Sequence, residues 1–346
     1  MQVYASGYTS ETGGRGIYLL ELDPEKATLE IKDVCRGEAN NPCFLTLTRD
    51  WVYAVTDIDN HGYISYFRRD PATGRLTYAG KTATDTTALC HITMWPDGKY
   101  ISMANYRAGN VLVHRILPDG TVGERTAFFQ HEGHGYDAAN RQAAPHAHST
   151  MVSPDGHNLY VADLGLDKIF NYTILPEGRL EPAPDADQVI APDGEGPRHF
   201  IFSKDGAWLY LVTEMGNQVL VYRKEGTRYE LIQQNPTLRP DFTGEDTAAD
   251  IHMTSDERFL YASNRGENDI AAFRVEPDHT LTLIGHFDCC GDCPRNFCIT
   301  PDDKYMLVAN QFTGNTVLFG IRPDGGLTDK LCEVPTPQTS FVRVMV

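Results

Sequence analysis

The sequence has no stretch approaching the roughly 18 apolar residues that suggest a membrane span. Its opening, Met-Gln-Val-Tyr-Ala-Ser-Gly, lacks the basic segment and apolar run of a secretion signal. Neither membrane insertion nor secretion is expected, and the cytoplasm is the expected compartment. Basic residues are scarce: 30 Lys and Arg stand against 47 Asp and Glu, a formal charge of -17. A field of that sign repels phosphate backbones and anionic lipid surfaces, so no nucleic acid and no membrane is expected as a partner. In such a chain a local cluster of arginines is more informative than usual, because a focused cleft can oppose the global field and take a small anion. There is also no Gly-x-Ser-x-Gly elbow and no glycine-rich phosphate loop ahead of a helix, which disfavours covalent serine catalysis.

With 41% hydrophobic and 22% charged residues, the chain can bury a large core and shows no sign of disorder. Its eight cysteines are therefore not needed as disulfides, and reduced thiols are expected. Cys290 and Cys293 form a C-x-x-C pair flanked by Cys289 and Cys298, but no second pair of cysteines or histidines follows at zinc-finger spacing. His131, His134, His146 and His148 also lack a fixed ligand spacing and sit among glycines. Neither group is expected to hold a metal, and no cofactor is expected.

The chain repeats itself. Pro96-Asp97-Gly98, Pro154-Asp155-Gly156, Lys204-Asp205-Gly206, Ser255-Asp256 and Pro301-Asp302 each separate two β-prone apolar runs, with Asp50 in the equivalent place earlier. From Asp50 onward these aspartates lie 47, 58, 50, 51 and 46 residues apart, a period of propeller blades rather than of helical solenoids. Each unit reads as four short strands, as in residues 90–95, 99–104, 110–116 and 121–129. Six units are visible. A seventh is split between the ends: residues 16–22 read as a third strand and 28–34 as a fourth, while Phe341 to Val346 is a β run at the other terminus. Pairing of the two ends closes the ring and removes exposed sheet edges. The expected fold is thus all-β, a seven-bladed β-propeller forming one domain over residues 1–346. The 58-residue interval is long because Gln130 to Ala144 is inserted, and a loop of that length in a compact fold is expected to cover one mouth of the central channel.

In a propeller the first strand of every blade lines the channel, so equivalent positions form rings. Seven residues before each turn aspartate stand Cys43, Cys90, His148, Arg198, Ala249 and Arg295. Just after each second strand stand Asp57, Asn105, Asp163, Thr213, Asn264 and Asn310, with Glu214, Arg265 and Gln311 one residue further on. Both rings face one mouth, because the first strand begins where the second finishes. His148, Arg198, Glu214, Arg265 and Arg295 are expected to converge there. Arginines bind carboxylate or phosphate bidentately and polarise a carbonyl oxygen, while a His or Glu within reach takes a proton from water. His148, Glu214, Arg198 and Arg265 are the candidate catalytic residues, and His146, Arg295, Asn105, Asp163, Asn264 and Asn310 the candidate substrate contacts. The competing reading is structural: arginines near strand ends form inter-blade ion pairs, and Asp or Asn after a strand shapes a turn.

Pro145-His146-Ala147-His148-Ser149, Ser153-Pro154-Asp155-Gly156 and residues 159–165 resemble the signature of bacterial 6-phosphogluconolactonases of the propeller lactonase family, which also includes fungal muconate-lactonizing cycloisomerases. Gly196-Pro197-Arg198-His199, Thr213-Glu214-Met215-Gly216-Asn217, Ser263-Asn264-Arg265-Gly266 and Val308-Ala309-Asn310-Gln311 are similar to further segments, so the resemblance covers nearly the whole chain. It implies a seven-bladed propeller without an obligatory metal, and functional positions at His148, Arg198, Glu214 and Arg265. An ungapped count back from Asp155 favours His148 over His146. The implied activity is hydrolysis of a sugar lactone, 6-phosphogluconolactone first. A muconate-type cycloisomerase and a non-catalytic protein-binding propeller are the alternatives, since fold alone does not choose. The expected ligand is a small anionic lactone, and the expected assembly a monomer or homodimer.

Overall fold

Between the first two strands of the later blades, one short motif sets the turn. Ser153 Oγ donates to Asp155 at 2.6 Å and accepts from the Asn158 amide at 3.0 Å, while Asp155 accepts from the His157 amide at 3.0 Å. Ser203 with Asp205, Thr254 with Asp256 and Thr300 with Asp302 repeat the hydroxyl-to-carboxylate bond at 2.6, 2.8 and 2.7 Å. A side chain that closes its own turn fixes where one strand ends and the next begins. This is the physical content of the spacing seen in the sequence.

The computed structural model describes residues 1–11 and 13–345. Seven antiparallel sheets form a ring of blades. In chain order after the closing blade, the innermost strands are Phe44–Leu47, His91–Met94, Ala147–Val152, Pro197–Phe202, Ala248–Met253 and Pro294–Ile299. The closing blade runs from the inside outward as Thr339–Val344, Gln2–Gly7, Ile17–Asp23 and Thr28–Cys35. Val3 faces Val344 and Ala5 faces Val342 across that closure, so the C-terminal run completes the N-terminal sheet as expected. Val346, the end of the run read from the sequence, lies outside the described residues. Two features went unread: Gln2–Gly7 is the second strand of the closing blade, and Val189–Ile190 adds a short fifth strand to the fourth blade.

The core is distributed between blades. Tyr210, Val212 and Val221 of the fifth blade pack with Leu260, Ala262 and Phe273 of the sixth, and comparable clusters fill the other junctions. Burial of each such aliphatic or aromatic side chain stabilises by roughly 1.5–3 kcal/mol. These seams leave the axis free for polar groups. No described helix is long and apolar enough to cross a membrane. All eight thiols are free; Cys289, Cys293 and Cys298 are buried.

Candidate active site

The inner strands bring the first predicted ring to the axis. Cys43, Cys90, His148 and Arg295 line a cavity of about 480 Å³ at one mouth, together with Tyr8, Tyr106, Glu214 and Arg265. Arg198 lies just beneath, only 2% exposed. Ala249, the fifth member, offers its carbonyl to Arg198 Nη1 at 2.5 Å.

Glu214 is the hub. The end of Trp208–Thr213 delivers it, and its amide bonds the Gly196 carbonyl at 2.8 Å, which fixes the backbone beneath the side chain. Arg198 Nε reaches Oε2 at 3.0 Å, Arg265 Nη2 reaches the same oxygen at 2.9 Å, and Arg141 Nη2 reaches Oε1 at 2.6 Å. Burial alone would raise the carboxyl pKa, but Arg265, Arg198 and Arg141 outweigh it and hold the group well below the usual carboxylate range. Glu214 is thus held as an anion at neutral pH. Arg265 is steadied by the Thr247 and Ala248 carbonyls at 3.0 and 3.2 Å.

His148 Nε2 stands 4.0 Å from Glu214 Oε2. Burial, then Arg198, His199, Arg295 and Arg265, push its pKa well below that of an ordinary histidine, so the imidazole is neutral and carries a lone pair at neutral pH. His146 is placed differently. Its ring stacks on Tyr106 at 4.4 Å and its Nδ1 lies 2.7 Å from the Tyr106 carbonyl, so it supports the cavity wall. Arg295 lines the cavity beside the Tyr8 ring at 5.8 Å and donates to Gln311 Oε1 at 3.2 Å. Among the described residues no carboxylate pairs with it.

Four predicted contacts are drawn away from the cavity. Asn105, Asp163, Asn264 and Asn310 are fully buried. Asn105 holds Thr86 and Thr87, Asn264 holds Thr237 and Asp269, and Asn310 holds Cys289 and Asn315. Asp163 accepts from the His146 and Gly165 amides at 2.7 and 3.0 Å and pairs with His131 at 2.6 Å. These side chains shape the loops that carry the site, which is the structural alternative weighed for them. His131 spends its other nitrogen on Tyr172, so it ties the start of the inserted loop to the fourth blade.

Tyr8 and Tyr106, which line the cavity, and Arg141, which binds Glu214, were not singled out from sequence. Tyr106 follows Asn105 as Glu214 follows Thr213, and Tyr8 occupies the same place after the unread strand Gln2–Gly7. Arg141 belongs to the inserted loop, whose length was the available signal. Cys43 and Cys90, also at the cavity, have thiols pushed by burial up to about 11 and about 12, so neither offers a thiolate nucleophile near neutral pH.

The seven-bladed ring is the fold of a class of propeller enzymes that open lactones, and comparison with known proteins places the chain in it. The family described as lactonase, seven-bladed β-propeller, matches residues 2–344, and this chain belongs to it. It is 30% identical over 321 residues to a 6-phosphogluconolactonase of Bacillus subtilis, covering 91% of this chain and 90% of that protein. A 6-phosphogluconolactonase of Formosa agariphila is 29% identical over 343 residues, with 95% of each chain covered. The solved structure of a periplasmic gluconolactonase from Pseudomonas aeruginosa superposes with a TM-score of 0.91 at 30% identity, covering 99% of this chain and 98% of that one.

Proposed function

We propose that this chain hydrolyses an anionic sugar lactone, with 6-phosphogluconolactone the leading substrate, in the cytoplasm. The observation that carries the reading is the charge arrangement at the mouth. Arg141, Arg198 and Arg265 share one carboxylate, and Arg295 has none among the described residues, in a chain whose formal charge is -17. The cavity is therefore a local positive well. Arg295 anchors the anionic group of the substrate. Arg265, held at the right depth by Glu214, polarises the lactone carbonyl and stabilises the oxyanion that forms there. His148 takes a proton from water at Nε2; the resulting hydroxyl adds to the acyl carbon, the ring C–O bond breaks, and the imidazolium returns the proton to the departing ring oxygen. The product acid then ionises. Names of the Bacillus and Formosa relatives support the phosphorylated substrate, and the free thiols suit a reducing compartment.

The test is a substrate panel. Purified protein is offered freshly generated 6-phosphogluconolactone, gluconolactone and a muconolactone, each corrected for spontaneous opening. The phosphorylated lactone should give the highest kcat/KM. Preference for muconolactone would move the reading to an isomerase, and no acceleration on any of the three would reject catalysis in favour of a binding scaffold.

A further inference from the structure

Adjoining the substrate cavity is a neck of about 20 Å³, lined by His148, Arg198, His199, Phe44 and Ser340 and sharing Tyr8 and Arg295 with the cavity. Two buried ring nitrogens in this region have no protein partner: Nδ1 of His148 and Nε2 of His199. The rings stand 5.2 Å apart, steeply tilted at 67°. A buried polar atom without a partner is costly, and a polar space above roughly 10–15 Å³ holds one water. Both rings line the neck, Arg198, Arg295 and Ser340 are among its polar groups, and it has that room.

On its far side, His199 is held by Asp250. His199 Nδ1 lies 2.7 Å from Oδ1, while Oδ2 accepts from His252 Nε2 at 2.9 Å, from Asn296 Nδ2 at 2.5 Å and from the Phe297 amide at 3.3 Å. The carboxylate is buried, which alone would favour its neutral form, yet His252 and His199 keep it ionised. An ionised carboxylate only accepts, so His199 must carry its proton on Nδ1 and present a lone pair at Nε2.

We propose that Asp250 and His199, through one water in the neck, orient His148 for its work as base. The hydrogen bonds then run in one direction. His148 Nδ1–H donates to the water, the water donates to His199 Nε2, and His199 Nδ1–H donates to Asp250. That order leaves the lone pair of His148 on Nε2, the nitrogen that stands by Glu214 at the substrate cavity. It also ends on a negative charge, which favours the imidazolium as it forms. Asp250 and His199 are positioning residues: neither lines the substrate cavity. Arg198, Arg343, His91 and His252 are the other titratable or charged groups around the pair.

The role of the arm in turnover rests on the hydrolase reading, but its geometry is tested without substrate. In wild-type protein labelled with nitrogen-15, long-range proton–nitrogen spectra at neutral pH report the tautomer of each histidine, with His148→Gln and His199→Gln spectra assigning the two signals. Both rings should show Nδ1–H and a bare Nε2; an Nε2–H form of His148 overturns the proposal. In Asp250→Asn the amide can donate to His199, reversing the chain. We expect His148 to move to Nε2–H and kcat on the preferred lactone to fall about 100-fold with KM within threefold. A folded variant with an unchanged His148 tautomer, or with kcat within threefold of wild type, also overturns it. If Asp250→Asn does not fold, the wild-type spectrum decides alone. If no lactone is opened, the hydrolase reading fails while the tautomers still test the arm.

Discussion

Arg141 Nη2 donates to Glu214 Oε1 at 2.6 Å, which ties the long loop between the third and fourth blades to the fifth blade. The same nitrogen donates to the Tyr106 hydroxyl at 3.0 Å. The arginine side chain is 43% exposed and the glutamate 7%, so one end of the pair sits in solvent and the other in the wall of the site. A half-exposed pair of this kind contributes under about 1 kcal/mol to folding. Its value is in placing positive charge at the rim. Arg141→Ala should melt within a few degrees of wild type, yet lose about tenfold in kcat/KM on an anionic lactone. Initial rates at low substrate, paired with a thermal melt, check this; equal kcat/KM would detach the loop from the site.

Among the described residues His148 is the histidine that both lines the upper cavity and stands beside Glu214. Its replacement by glutamine keeps a polar side chain of similar size and removes the base. We expect kcat to fall about 100-fold or more with little change in KM. The pH profile carries a second signature. An ordinary histidine is half protonated near 6.5. Burial and the arginines hold His148 well below that, so the acid limb of kcat/KM should lie well below pH 6.5 in wild type. An acid limb centred at 6.5 or above would show that the base is another group.

The ring of blades was legible because a turn aspartate recurs at a blade-length period between β-prone runs, and because strand order in a propeller turns a sequence offset into a spatial ring. Counting back from the turns placed Cys43, Cys90, His148, Arg198 and Arg295 on the axis, and the residue after each second strand placed Glu214 and Arg265. Carrying that second offset through every blade would have added Tyr106. Tyr8 needed the first strand of the chain, whose residues Gln2–Gly7 precede any turn that could index them. Polar residue type alone does not separate the two readings of Asn105, Asp163, Asn264 and Asn310: an amide or carboxylate at a strand end satisfies loop backbone as readily as it binds a ligand, and these four are buried with protein partners. The Asp250 arm was out of reach of spacing alone, since His199 and Asp250 belong to different blades and their bond is visible only once the inner strands stand side by side.

Arg295 donates to Gln311 and borders Tyr8, with no carboxylate to neutralise it among the described residues. A cation left free at the cavity wall should read the charge of the substrate more than its shape. A hydrogen bond between charged partners is worth about 1.5–3 kcal/mol, or roughly 10- to 100-fold in affinity. Arg295→Met should therefore raise KM for the phosphorylated lactone by about 10- to 100-fold and change KM for neutral gluconolactone by less than about threefold. Parallel titration of the two lactones measures the difference. A similar rise for both would assign Arg295 to cavity shape.

The buried histidines also set how the fold responds to acid. His91, His148 and His199 all have pKa values lowered first by burial, His199 to about 4. In the unfolded chain each titrates near 6.5. As pH falls through 6.5 the unfolded state takes up protons that the folded state refuses, so stability declines by about 1.4 kcal/mol per pH unit for each such histidine. For His199 the decline continues to about pH 4, on the order of 3 kcal/mol in all. Glu214 and Asp250 have lowered folded values, so their contribution is complete above the ordinary carboxylate range and is lost only below about pH 4. Between 6.5 and 5 these histidines lower stability as pH falls, while Glu195 and Asp246, raised by burial, act in the opposite sense. Urea midpoints measured across that window should fall steadily with pH. His91→Gln, whatever it does to stability at pH 7.5, should reduce the slope by one proton, because its ring packed against Phe44 at 4.4 Å is held neutral in the fold. An unchanged slope in that variant would mean that His91 accepts its proton without unfolding.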